Sequence, residues 1–133
     1  MVFVLVYIPN DLKFISQILF YFTSTRVIRL DIFYATKNLE KILTNERLIK
    51  KEYTKFYKKI INRLSELRAA NNLDEIPHVP PPRRHKLDGE YHDCWGVDVS
   101  KNYRIVLRPT GNWDEHDLKT VVSVEILTIE DYH

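Results

Sequence analysis

Four of the six residues from Pro77 to Pro82 are proline, in the stretch "IPHVPPPRR". Each proline locks its own φ and lacks a backbone N–H, so neither a helix nor a central strand can run through this stretch. The segment is extended or polyproline-like. It divides the chain into two halves that follow different patterns. Before it, apolar residues recur mainly at three-to-four spacing; after it, they alternate. That division predicts an α+β arrangement, with the helices grouped before a mostly antiparallel sheet.

Within the first half, "RVIRLDIFYA" is rich in β-branched and aromatic residues and predicts a first strand. Thr36 is positioned to cap a short helix through "KNLEKIL", and Thr44 to cap a second from about Asn45 to Ala70. In that second helix Leu48, Ile49, Tyr53, Phe56, Tyr57, Ile60, Ile61, Leu64 and Leu67 form one apolar stripe, as an amphipathic helix requires. Its aromatic members read as core rather than as a stacking platform. After the prolines, "HKL", "CWGVDV", "YRIVLR" and "TVVSVEIL" read as strands. Ser100-Lys101-Asn102 makes a hairpin link between two of them, and "RPTGNWDEHDLK" is a longer polar loop. The expected order is β-α-α-β-β-β-β: a small twisted, mainly antiparallel sheet with two N-terminal helices packed on one side.

With 133 residues, 44% hydrophobic and 29% charged, the composition is that of a globular protein with one modest core. The formal net charge of +2 says little about partners, but its distribution says more. Ten Lys and Arg face four Glu between Lys37 and Arg68, whereas six acids accompany one Lys between Gly111 and His133. A cationic surface of this kind suits a phosphate backbone; the simpler reading is the solvated side of a helix. Cys94 is the sole cysteine, which excludes an internal disulfide and a Cys-x-x-Cys site. It reads as a small buried hydrophobe.

The first 26 residues stand apart. "VFVLVYI" and "FISQILFYF" are apolar runs, but neither reaches the ~18 residues that a membrane span needs. No cationic start or small-residue cleavage site marks a secretory signal. The patterned chain begins near Val27. The expected division is therefore an apolar leader, 1–26, foreign to the native protein, and a domain at 27–133 starting at Val27 or Leu30.

Three pieces stand in order in the second half: "RRHKLDGEY", "WGVDVSKNYRIVLRP" and "ILTIEDYH". A basic-His-x-Leu-x-Gly turn, an aromatic-led strand, a hairpin into "YRI" and a terminal "DYH" resemble the HigB-like branch of the RelE/ParE toxin superfamily. The likeness spans roughly Val27 to His133 and includes "LEKILTNERLIKK". It implies a RelE-like fold and the toxin of a type II toxin–antitoxin system. The implied activity is a ribosome-dependent endoribonuclease, an mRNA interferase that cuts translated mRNA by acid–base chemistry with no cofactor or metal. The implied partners are a cognate antitoxin and the 30S decoding site with its mRNA, with operator DNA reached only through the antitoxin. The implied location is cytoplasmic, with no membrane contact.

The resemblance also assigns residues. His85 matches the family's first functional histidine, with Arg83, Arg84 and Lys86 beside it to hold phosphates. Arg104 matches its sheet arginine. Asp131, Tyr132 and His133 match its terminal triplet: Tyr132 to stack on a base, His133 as general acid, Asp131 to orient a histidine or share in proton transfer. Which of His85 and Asp131 is the base stays open. Strand alternation separately puts Arg104, Val106 and Arg108 on one face, where two arginines make a fork for a scissile phosphate.

The chain departs from the family's pattern at Asp88, where many members carry a cation; an acid there repels phosphate, and Lys86 is the compensating charge. His78, His92 and His116 lie in loops without metal-ligand spacing, and Asp114, Glu115 and Asp117 read as a solvated turn. Two alternatives stay open: a ParE-like binder of DNA gyrase that cuts no RNA, against which His85 and His133 argue, and a decayed toxin that binds only its antitoxin.

Overall fold

The computed structural model describes residues 28–132. The leader, 1–26, and His133 fall outside the described residues. The chain opens with β1 (Asp31–Tyr34), then passes through α1 (Lys37–Leu43), α2 (Glu46–Glu52) and α3 (Tyr57–Ala69). The strands β2 (His85–Lys86), β3 (Trp95–Asp98), β4 (Tyr103–Pro109) and β5 (Ser123–Asp131) follow. They form one sheet in the order β1-β5-β4-β3-β2. β1 runs parallel to β5, and every other pair is antiparallel. The α+β class and the mainly antiparallel sheet are as the sequence predicts. No helix among the described residues is long and apolar enough to cross a membrane.

The helical half differs from expectation in two respects. Thr36 caps α1, its hydroxyl accepting from the Leu39 amide at 3.1 Å. Thr44 ends that helix instead of starting the next, its hydroxyl donating back to the Glu40 carbonyl at 2.7 Å. Asn45 is the cap of α2, accepting from the amides of Arg47 and Leu48. The single helix expected from Asn45 to Ala70 is two helices. Tyr53 leaves helical backbone at φ −120°, ψ 48°, and Phe56 caps α3 at φ −121°, ψ 1°. The apolar spacing stays in phase across this break, so periodicity does not register it. Tyr53-Thr54 are weak helix formers, and the interruption lets Phe56 lie 4.6 Å from the ring of Tyr103 on β4.

The core lies between the helices and one side of the sheet. Leu43, Ile49, Ile60, Leu64 and Leu67 meet Val97, Ile105, Leu107, Val124, Ile126 and Ile129. Burial of each such aliphatic side chain is worth about 1.5–3 kcal/mol. Among the described residues Arg63 is the one buried charged side chain. Its Nε donates to the Asp98 carbonyl at 2.9 Å while its guanidinium pairs with Glu66, tying α3 to the end of β3. Among the described residues, the opposite side of the sheet bears a small apolar cluster, Leu87, Cys94 and Val106, with Tyr91 and Leu127 packed against it.

One irregularity in β5 organises that second side. Val106 pairs with Thr128, but Leu107 pairs with Ile126, so Leu127 is an extra residue. In such a bulge two successive residues oppose one on the partner strand. Val124 and Ile126 therefore face the helices at even positions, and Ile129 at an odd one. The acids follow suit: Glu125 pairs with Arg108 and Glu130 with Arg104. Strict alternation would send those two glutamates to opposite sides; the bulge delivers both to the helix-free face.

Candidate active site

That face carries a row across three strands. Asp98 on β3 pairs in register with Arg104 on β4, and Arg104 with Glu130 on β5. Arg104 uses Nε and Nη2 on the same oxygen, Oε1 of Glu130, at 3.2 and 2.8 Å. The other oxygen, Oε2, accepts from the Tyr91 hydroxyl at 3.1 Å. The Arg104 guanidinium carbon lies 4.7 Å from the ring centre of Tyr132 and 6.0 Å from that of Tyr91. Such cation–π contacts hold the guanidinium plane and leave its charge in place. Burial, then the bond to Glu130, raises the Tyr91 hydroxyl above its ordinary range, so Tyr91 stays a donor.

Asp98 is engaged from the other side. Arg83 donates from Nε to Oδ2 at 2.6 Å and from Nη2 to Oδ1 at 3.2 Å. This bidentate grip raises the already high Arg83 guanidinium further, with Asp98 as the leading cause. Arg83 is also the one described non-glycine residue with positive φ, at 39°. Left-handed backbone costs an L-residue roughly 1–2 kcal/mol. The turn is held by the Arg83 amide on the Val79 carbonyl and the Arg84 amide on the Pro77 carbonyl, at 3.1 and 2.9 Å. The proline run thus ends in a constrained turn that presents Arg83 to β3.

Tyr132 joins the two arginines. Its hydroxyl donates to the Lys101 carbonyl at 3.0 Å and lies 3.4 Å from Arg83 Nη2. Its amide donates to the Asn102 carbonyl at 3.0 Å. The end of β5 is thereby docked on the β3–β4 hairpin.

His85 occupies the same face. It pairs with Gly96, and its ring lies where a side chain on Gly96 would be: an added Cβ would stand 3.0 Å from Cε1 and 3.2 Å from Nε2. Nδ1 is 2.7 Å from the Arg83 carbonyl. A carbonyl only accepts, so this contact puts the proton of the neutral ring on Nδ1 and the lone pair on Nε2. From the register, the Cα atoms of His85 and Arg104 stand roughly 12 Å apart, two strands across and two residues along. That gap can be spanned by the two side chains and a phosphate between them.

The remaining candidates divide by side. Arg108 shares the helix-free face and reaches Asp93 at 3.2 Å and Glu125 at 3.5 Å. Arg84 turns inward: Nε donates to the Ile76 carbonyl at 2.8 Å, Asp74 lies 3.7 Å away, and burial lowers its guanidinium. Lys86 pairs in register with Trp95, its Nζ 4.3 Å from the indole centre and bonded to the His92 carbonyl. Asp131 pairs with Tyr103, which puts it at a register position on the helix side, opposite to Arg104 and Glu130. Of the nine residues the sequence singled out, Arg83, His85, Arg104, Tyr132 and Arg108 share one face. Arg84, Lys86 and Asp131 are not brought to it, and His133 lies outside the described residues.

Sequence reading missed Asp98, Glu130 and Tyr91. A signal for Glu130 was present: the apolar positions of "SVEILTIED" slip from even to odd at Leu127-Thr128, which is how a bulge reads. Neither the loop position of Tyr91 nor the pairing of Asp98 with Arg83 has such a signal. Near the site, Cys94 is fully buried and its thiol is pushed up to about 11, chiefly by burial. The turn acids act locally, Asp114 accepting from the His116 amide and Asp117 from the Lys119 amide.

Neither a protein-family model nor a curated protein matches the chain. Among solved structures, the fold is similar to a chain described as a YoeB/ParE toxin from Agrobacterium tumefaciens. That similarity has a TM-score of 0.48 and 11% identity, and covers 77% of this chain and 99% of the other. A likeness at this level leaves function to be argued from the face itself.

Proposed function

We propose that the chain is the toxin of a type II toxin–antitoxin system, of the HigB-like branch of the RelE/ParE superfamily, acting as a ribosome-dependent endoribonuclease on translated mRNA. The observation that carries this reading is the convergence of Arg83, His85, Arg104 and Tyr132, from three separate segments, on the face of the sheet opposite α1–α3. Those segments are the three that carry the sequence resemblance.

In this reading the His85 Nε2 takes the proton of a ribose 2′-hydroxyl, and the 2′-oxygen forms a bond to phosphorus. The P–O5′ bond breaks, leaving a cyclic phosphate and a 5′-hydroxyl. Arg104 and Arg83 stabilise the charge that grows on the phosphoryl oxygens. Tyr132 flanks a base, and His133 supplies the proton to the leaving oxygen. Arg108 supports the neighbouring phosphate. Arg84, Lys86 and Asp131 take structural roles, a narrower set than the sequence resemblance implies. Asp88 lies next to this face in sequence and weakens phosphate binding. The cognate antitoxin covers this face, operator DNA is met only through it, and the protein works in the cytoplasm at the 30S decoding site.

A second reading has one observation in its favour. Arg83, Arg104 and Arg108 are each paired with a carboxylate, which suits a gyrase-binding or inert relative better than an open phosphate site.

Primer extension on a defined message, with and without programmed ribosomes, separates the readings. Cuts that need ribosomes, and fall at least about a hundredfold in His85→Ala and Arg104→Ala, are expected of the nuclease. Absence of cuts in both conditions would transfer the assignment to the second reading.

A further inference from the structure

The pairing of Arg104 needs its own explanation. A guanidinium meant for a phosphate is here closed by Glu130, which offers one oxygen to two of its nitrogens. The carboxylate is held from behind by the Tyr91 hydroxyl. It lies on the same face as Arg104 in the bulged register of β5. The pair is partly screened from water, with the Arg104 and Glu130 side chains 17% and 25% exposed. Charged hydrogen bonds in such surroundings outweigh those on an open surface. A carboxylate and a phosphoryl group present the same chemistry to an arginine: two anionic oxygens in a fork.

We propose that Glu130 is an internal competitor for the phosphodiester at Arg104, a resident anion that must leave before nucleic acid can bind there. This rests on the reading of the face as an anion site. Tyr91 is the residue that holds the competitor in place. When a phosphate enters, Arg104 exchanges one anion for another, and the guanidinium stays aligned over Tyr132 throughout. Discrimination follows from the exchange. A ligand that brings only one weak contact fails to displace Glu130, whereas a strand that also engages Arg83, Arg108 and a base over Tyr132 succeeds.

The test is binding of a short fluorescein-labelled deoxyribo-oligonucleotide, which lacks the 2′-hydroxyl and cannot be cut, followed by anisotropy over a range of salt. Glu130→Gln keeps the shape and an acceptor but not the charge, and is expected to tighten binding about tenfold, the fold-change of one charged hydrogen bond no longer in competition. The salt slope should steepen by about 0.7, one more phosphate contact on a single strand. Tyr91→Phe leaves the net charge unchanged and is expected to tighten binding in the same direction, less strongly. Glu115→Gln, the same change of charge on an exposed loop, should leave both readouts near the parent.

A Glu130→Gln gain that survives in the Arg104→Gln background would overturn the inference, because the competition would not be for Arg104. So would weaker binding in Glu130→Gln, which would make Glu130 a positioning residue for the arginine. Unchanged affinity in Glu130→Gln, with loss in Arg104→Gln, would remove the competitor and leave the anion site standing. Binding by no variant would overturn the anion-site reading and this inference with it.

Discussion

The two sides of the sheet are built from the same strands by different rules. On the helix side, Val97, Ile105, Leu107, Val124, Ile126 and Ile129 pack against α3 and its neighbours. Any set of apolar residues with the right period and volume serves there. On the other side, Arg83 rests on a left-handed turn, His85 on the space over Gly96, and Glu130 on the bulged register of β5. Burial tolerates small shifts, since the driving force is spread over many contacts. A charge network does not, because each carboxylate has one arginine within reach. Stability therefore belongs mainly to the first side, and the proposed chemistry to the second.

The comparison can be broken most heavily from the helix side. Leu64 is fully buried, and Leu64→Ala should destabilise the fold by about 2–5 kcal/mol, read from the urea midpoint. Below its transition the variant should keep whatever oligonucleotide affinity the parent has. A stable variant with altered affinity would mean the two sides are coupled.

Removal of Leu127 sharpens the contrast. Without it, Ile126 and Thr128 become neighbours that already face opposite sides, so β5 regains plain alternation and Glu130 stays opposite Arg104. The expected cost is about 1–3 kcal/mol for the lost contact with the small cluster. Insertion of a second residue there should instead restore alternation with the end of β5 slid by two residues, leaving Glu130 on the same face but past Arg104. Equilibrium unfolding with the salt slope of oligonucleotide binding tells the two apart: the deletion keeps the parental slope, the insertion steepens it.

The smallest expected effect on stability is at Gly96. A methyl there meets His85 and Leu87 at 3.0 Å, so the imidazole must move by a few tenths of an ångström. Gly96→Ala should cost about 1 kcal/mol or less, near the lower end for overpacking, yet shift the His85 ring resonances in NMR and lower cleavage. Unmoved resonances would show that the ring does not lie over the glycine.

The same division explains what could be read beforehand. Alternation in "YRIVLR" fixed which residues face the helices, because burial enforces period two. Thr36 and the hairpin at Ser100-Lys101-Asn102 were legible from local chemistry. The break at Tyr53–Phe56 was not, because the stripe runs through it in phase and only packing on Tyr103 marks the site. On the charged side, residue type singled out Arg83, Arg84, Lys86 and Arg104 alike; the fold brings Arg83 and Arg104 to one face and turns Arg84 and Lys86, which flank His85, to the opposite side. Basic residues beside a histidine look alike in sequence, and a two-residue strand is too short for its parity to show.

The parallel pairing of β1 with β5 has a kinetic meaning. Asp31 is matched to Ser123, so the first and last strands of the described chain are partners, with β5 wedged between β1 and β4. Long-range closure of this kind gives a high contact order and slows folding. Until β5 is in place, the edges of β1 and β4 are both unpaired, and Arg104 lacks Glu130 and Tyr132 alike. The Arg83–Asp98 pair lies outside β5 and can form with the β3–β4 hairpin, whereas Arg104 gains its partners only when β5 completes the sheet.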